Sequence, residues 1–185
     1  REPQHYTFLR KQIAFSKIEG RQEPWMVWSA AASTGEEGYT TAFCFLEEEV
    51  QNFKILGTDI STECIEKAKK GIYLKDVVDQ QVRSEIKKKY FLSGVGESRR
   101  QYYKVDPTIQ SHFKWREFNL MSSELPVGLE FQVIFLRNVL IYFDAEKVNH
   151  IVRRLLHYLK PKGFLIIGVS ESIPNFEQFG LTRVD

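Results

Sequence analysis

The feature that most constrains this chain is an alternation of short apolar runs with stretches of helical periodicity. Residues 25–31 read as a buried strand, and 34–50 as a helix with Glu36 and Glu37 in its first turn. Residues 53–59 form the next strand, and 62–70 a helix with Ser61 or Thr62 as N-cap and Gly71 as its stop. Residues 113–119 and 131–137 are strand-like. Residues 144–159 are helical and leave through Lys160-Pro161-Lys162-Gly163 into a further buried strand at 163–169. Strands that alternate with helices need crossover connections, and crossovers build a parallel sheet. The expected fold class is therefore α/β.

One stretch breaks the rhythm. Residues 80–90 look helical and basic, and 91–106 carry Gly94, Gly96 and the run Tyr102-Tyr103-Lys104-Val105. This is too aromatic for a flexible tether. It predicts a small antiparallel β insert at about 88–112, inside a domain spanning 23–185 and preceded by a linker or helix remnant at 1–22.

Composition narrows the function classes. Lys+Arg 26 against Asp+Glu 24 leaves a formal charge of only +2, which argues against a general nucleic-acid binder. Cys44 and Cys64 have neither metal-ligand spacing nor a framework's number, so no metal site is expected and a reducing, cytoplasmic setting is. The longest apolar runs, 131–136 and 164–169, are too short to insert into a membrane. The opening at Arg1 and the end at Asp185 read as those of a stretch cut from a longer protein.

In open α/β sheets, ligands bind beyond the carboxyl ends of the strands, so the residues after each strand matter most. After the first come Ala31-Ala32-Ser33-Thr34-Gly35-Glu36-Glu37, small residues that let a ligand approach the backbone. The two glutamates would repel a pyrophosphate and suit an ammonium group, or else complement the helix dipole. Asp59, at the next strand end, is placed to hold a ribose diol or to cap the following helix. Asn119 and Leu120 suit an adenine edge and face, although a turn asparagine is the plainer alternative. Arg137 and Asn138 close a strand buried enough to be central, and Tyr142 and Phe143 follow over the same crevice or staple the next helix.

Taken in order, Trp28-Ser29-Ala30-Ala31-Ala32-Ser33-Thr34-Gly35-Glu36-Glu37, Thr58-Asp59-Ile60, Phe118-Asn119-Leu120, Arg137-Asn138-Val139-Leu140-Ile141-Tyr142-Phe143-Asp144 and Leu159-Lys160-Pro161-Lys162-Gly163 resemble the chemotaxis-receptor methyltransferases, the CheR family, from about Trp25 to Ser172. The resemblance implies a Rossmann-like sheet that binds S-adenosylmethionine and yields S-adenosylhomocysteine. It implies methyl esterification of glutamate side chains on a methyl-accepting chemotaxis receptor. By the same resemblance Glu37 faces the methionine ammonium and Asp59 holds the ribose. Asn119 and Leu120 contact the adenosine, Arg137 and Asn138 line the methionine side, and Tyr142 stands near the transferred methyl. The insert resembles a subdomain that docks a receptor's C-terminal tail, with Gly94-Val95-Gly96 as its loop.

Two departures stand out. The family's Asn-x-Thr/Ser-x-Phe-Phe-Arg segment is set against Gln4-His5-Tyr6-Thr7-Phe8-Leu9-Arg10, which makes Arg10 the expected contact for the substrate carboxylate. Gly38 replaces the usual proline after the glutamate pair. Alternatives that the residues leave open are a methyltransferase with another substrate and an S-adenosylmethionine-binding module without turnover. Lys87-Lys88-Lys89 and Arg99-Arg100 suit either an acidic receptor helix or a solvated face.

Overall fold

The computed structural model describes residues 2–94, 101–125 and 128–184. Five strands form the main sheet: β1 (Trp25–Ser29), β2 (Phe53–Asp59), β6 (Phe113–Glu117), β7 (Phe131–Leu136) and β8 (Leu159–Ile167). Their order is β6-β2-β1-β7-β8, and every neighbouring pair is parallel. This is the nucleotide-fold order, which runs outward from β1 in one direction and then in the other. The reversal leaves a crevice beyond the carboxyl ends of β1 and β7.

Strand alternation divides the core into two layers. Val27, Ile55, Val133 and Phe135 point to a cluster that also holds Leu9, Ile13, Ala42 and Phe45. These last four come from α1 (Pro3–Ile18) and α2 (Glu36–Glu47). Trp28, Leu56, Ile134 and Leu136 point the other way, onto Val148, Ile151, Val152 and Leu155 of α7 (Ala145–Leu156). That spacing is one helical stripe, and α7 is capped where Asp144 accepts from the Lys147 N–H at 2.9 Å. The helix α3 (Thr62–Lys70) has Ser61 as N-cap and Gly71, at φ 58°, as its stop.

Several boundaries differ from expectation. Within the stretch expected to be a linker or helix remnant, the helix α1 inserts the fully buried Leu9 and Ile13 into the core. The insert is a three-stranded antiparallel sheet in the order β3-β5-β4. It begins well before residue 88, because β3 (Ile72–Leu74) pairs with β5 (Tyr102–Val105), which in turn pairs with β4 (Phe91–Ser93). A strand of three residues directly after a helix stop leaves too little pattern to read. The expected helix at 80–90 is two, α4 (Lys75–Gln81) and α5 (Ser84–Tyr90), separated by extended backbone at Val82. A single-turn helix, α6 (Pro107–Gln110), then leads into β6. The strand β8 starts at Leu159, so Pro161 lies inside it, where a register shift opposite Phe131 and Val133 and an edge position accommodate the missing N–H.

Two glycines are explained by one stack. The rings of Phe113 and Trp115 lie 4.9 Å apart and nearly parallel. A Cβ on Gly57 would stand 2.1 Å from Trp115, and one on Gly38 would stand 3.0 Å from Phe113. The glycine found in place of the usual proline thus seats an aromatic pair against α2. Gly57→Ala is expected to cost about 1–3 kcal/mol by overpacking, read as a lowered midpoint in denaturant unfolding with an unchanged slope; an unchanged midpoint would contradict this packing account.

Candidate functional site

The loop between β1 and α2 is fastened to both neighbouring strands. The Ala30 N–H donates to the Phe135 carbonyl at 2.9 Å, and the Ala32 N–H to the Thr58 carbonyl at 2.7 Å. Gly35 adopts φ 96°, and a Cβ there would stand 2.9 Å from the Ala68 methyl, so only glycine lets the loop turn against α3. The Tyr73 hydroxyl, from the small sheet, donates to the Thr34 carbonyl at 2.7 Å and pins the same turn.

Behind this loop lies a chain of charges. Glu37 accepts from Ser29 Oγ at 2.6 Å and from Arg137 Nη1 at 2.8 Å. Arg137 is almost wholly buried and donates with its whole guanidinium: Nη2 and Nε to Glu2 Oε2 at 2.5 and 3.1 Å, and Nη1 also to the Tyr6 hydroxyl at 3.2 Å. Its Cζ lies 5.7 Å from the Tyr6 ring centre, within cation–π range. Burial pushes the Glu37 carboxyl above the ordinary carboxylate range, while hydrogen bonds from Ser29 and Arg137 oppose that rise. Burial alone would lower the Arg137 pKa, but its bonds to Glu2 and Glu37 outweigh burial and hold it up. With both carboxylates ionised, the group carries one excess negative charge, which suits a cationic ligand head.

Asp59 is oriented by two backbone donors, the Ser33 N–H at 2.8 Å and the Ser61 N–H at 2.9 Å. A carboxylate has about four acceptor positions, so two remain for a diol. The N–H of Phe118 donates to the Asp59 carbonyl at 2.9 Å, which brings Asn119 and Leu120 beside it. There the plainer reading of Asn119 describes the oxygen: Oδ1 accepts from the Met121 N–H at 2.9 Å in a local turn. Leu120 is buried in the α7-side cluster. Asn138 has φ 57°, a left-handed conformation that asparagine tolerates well. Tyr142 ends a 3-10 turn (Leu140–Tyr142) and is 77% exposed.

Arg10 is the exception. Its Nε pairs with Glu48 Oε1 at 2.7 Å, and Glu48 is the C-cap of α2. Glu37 lies eleven residues earlier on that helix, or about 16 Å at 1.5 Å per residue. The structure does not bring Arg10 to Glu37: Glu2 and Tyr6, at the start of α1, reach Arg137, and Arg10, one turn beyond Tyr6, pairs with Glu48 instead. Glu2, Tyr6 and Ser29 had no signal of their own, because each is recognised only through Arg137 and Glu37. The loop Val95-Gly96 and the pair Arg99-Arg100 lie outside the described residues. Among the described residues, no cluster of three or more His, Cys, Asp or Glu is placed to hold a metal ion. No helix among them is long and apolar enough to cross a membrane.

The Arg137 pairing can be tested directly. Removing one partner of a buried ion pair strands the others, so Arg137→Met should lower stability by about 3–5 kcal/mol in denaturant unfolding. Adding Glu37→Gln should return part of that loss; strictly additive losses would contradict the pairing.

Comparison with known proteins identifies the family. Residues 1–184 match the family described as CheR methyltransferase, SAM binding domain. The chemotaxis protein methyltransferase of Escherichia coli K12 is 35% identical over 185 residues, covering 96% of this chain and 61% of that protein. Its counterpart in Salmonella typhimurium is 35% identical over 182 residues, covering 95% of this chain and 59% of that protein. The chain thus spans about three fifths of the length of these relatives. A crystal structure of DszA carbon methyltransferase superposes with a TM-score of 0.53 at 12% identity, over 86% of this chain and 33% of that one, and shows the shared fold. Sequence, sheet order and strand-end residues converge: the chain belongs to the CheR methyltransferase family and corresponds to its S-adenosylmethionine-binding domain.

Proposed function

We propose that this chain catalyses S-adenosylmethionine-dependent methyl esterification of glutamate side chains on a methyl-accepting chemotaxis receptor. The observation that carries the reading is the part-buried Glu37 carboxylate, held by Ser29 and Arg137 behind a small-residue loop at the sheet's reversal point, in a chain of this family. A pyrophosphate would meet repulsion there, whereas an amino-acid ammonium finds a desolvated anion. When bound, S-adenosylmethionine supplies a methyl group on a sulfonium, a strong electrophile.

The residues of the chain fit that cofactor. Glu37 accepts from the ammonium, Asp59 uses its two remaining acceptor positions for the ribose diol, and Leu120 and Asn119 flank the adenosine. Arg137 fixes Glu37 and, with Asn138, lines the methionine side. A substrate glutamate has a reference pKa of about 4.3 and is already ionised near neutrality, so the reaction needs no general base. The protein's contribution is alignment of the attacking oxygen with the methyl carbon, together with exclusion of water from that oxygen. Tyr142, at the rim, positions the methyl or donates to the substrate carboxylate. Two edge strands, β3 and β4, leave the small sheet open to an added strand from a receptor tail. The cysteines Cys44 and Cys64 are both free, in keeping with action in the cytoplasm.

The decisive assay transfers tritiated methyl from the cofactor to receptor-bearing membranes and releases it with base as methanol. Base-labile label with the wild-type chain supports a methyl ester product; cofactor binding without label would instead favour a binding module. Tyr142→Phe should lower kcat on the order of tenfold and keep cofactor affinity. The pH dependence follows from Glu37. Its ionised form binds the ammonium and burial raises its pKa above the ordinary 4.5, so cofactor affinity should decline on acidification, with the decline beginning at a higher pH than for an exposed glutamate. In Glu37→Gln, affinity should be about ten- to hundredfold weaker and lose that decline, as followed by calorimetry.

A further inference from the structure

The segment that follows β7 carries Arg137, Asn138 and Tyr142, yet its own backbone has little to hold it. After Leu136 the chain turns through the left-handed residue Asn138 into a single 3-10 turn. A turn that short leaves its leading N–H groups without internal acceptors. One side chain from a distant part of the sequence supplies them. Glu171 Oε2 accepts from the Asn138 N–H at 2.8 Å, and Oε1 accepts from the N–H groups of Val139 and Leu140 at 2.8 and 2.7 Å. Oε2 also accepts from the Gly168 N–H at 2.7 Å, directly after β8. One carboxylate therefore gathers four backbone donors and ties the ends of two adjacent strands together.

Gly168 is shaped for this contact. A Cβ there would stand 2.5 Å from Glu171 Oε2 and 3.3 Å from Asn138 Nδ2. The carboxylate cannot retreat without giving up its other donors, so the glycine is what admits it. Hydrogen bonds to an ionised acceptor are about twice as strong as neutral ones, and four on one group fix its position closely.

We infer that Glu171 is a positioning residue for methyl transfer: it sets the path of Asn138–Leu140 and thereby the place of Tyr142 at the crevice rim. The inference rests on the proposed methyltransferase activity. Arg137 has separate partners in Glu2, Tyr6 and Glu37, and Asp59 has its own backbone donors, so loss of Glu171 leaves most cofactor contacts in place. The effect should fall on kcat and not on cofactor binding.

Glu171→Gln keeps the size of the side chain but turns an NH2 toward two N–H donors. In the complete chain, kcat counted per S-adenosylhomocysteine-binding site should fall on the order of 10²-fold, because displacement of a rim residue by about 1 Å costs that much. The cofactor Kd should stay within about threefold, since Glu37 and Asp59 still supply the charge-assisted contacts. Gly168→Ala should reproduce the loss by expelling the carboxylate, and the double variant should be no worse than the worse single one. A kcat per binding site within twofold of wild type in Glu171→Gln would overturn the inference, as would additive losses in the double variant. Amide exchange read by NMR needs no substrate: the Asn138, Val139 and Leu140 amides should exchange at least tenfold faster in Glu171→Gln, and unchanged rates would likewise overturn it. Failure of the wild-type chain to bind S-adenosylmethionine would instead defeat the functional reading and leave the exchange experiment to decide the role of Glu171.

Discussion

The structure depends most on one buried cation. Arg137 closes the interior strand β7, and removing its charge from water is tolerable only because Glu37, Glu2 and the Tyr6 hydroxyl surround it. Each of those partners arrives from a different place: the start of α2, the N-terminal end of α1, and one turn into α1. Satisfying a single guanidinium therefore draws the first helix, the second helix and the end of β7 to one point. That point is where the strand order reverses, which is where an α/β sheet opens a ligand crevice.

The consequences reach the chemistry. Held by Ser29 and Arg137, Glu37 presents an acceptor whose orientation is settled before any ligand arrives. Preorganisation of this kind lowers the cost of binding, because no side chain has to be immobilised on contact. Asp59 is held the same way by Ser33 and Ser61, and Gly35 and Tyr73 fix the loop between the two carboxylates. Tyr73 belongs to the small antiparallel sheet, so the insert is not an appendage beside the cofactor loop. It is one of the supports of that loop.

Much of this could be read from the residues, and what could not has physical causes. The parallel sheet, α3 with both of its caps and α7 with its acidic start were visible because apolar periodicity and cap chemistry are local. The strand-end residues Glu37, Asp59, Arg137 and Asn138 were visible because ligand crevices lie at strand ends. The pairing of Arg10 with Glu48 was not legible, because a helix carries no mark of which turn faces the crevice. The Glu48 that claims Arg10 stands 38 residues away. The early start of the insert at Ile72 was hidden by the brevity of a three-residue strand. Glu171 follows the last strand, and asking what comes after β8 would have drawn attention to it, but its four backbone donors come from a folded turn that no linear pattern announces.

The central claim is that the crevice between the ends of β1 and β7 holds S-adenosylmethionine through Glu37 and Asp59. A crystal structure of the chain with S-adenosylhomocysteine tests it most directly. The account predicts density in that crevice, with the amino group within hydrogen-bond distance of a Glu37 oxygen and the ribose hydroxyls on Asp59. Density for the ligand elsewhere, or in the crevice with neither carboxylate in contact, would contradict it.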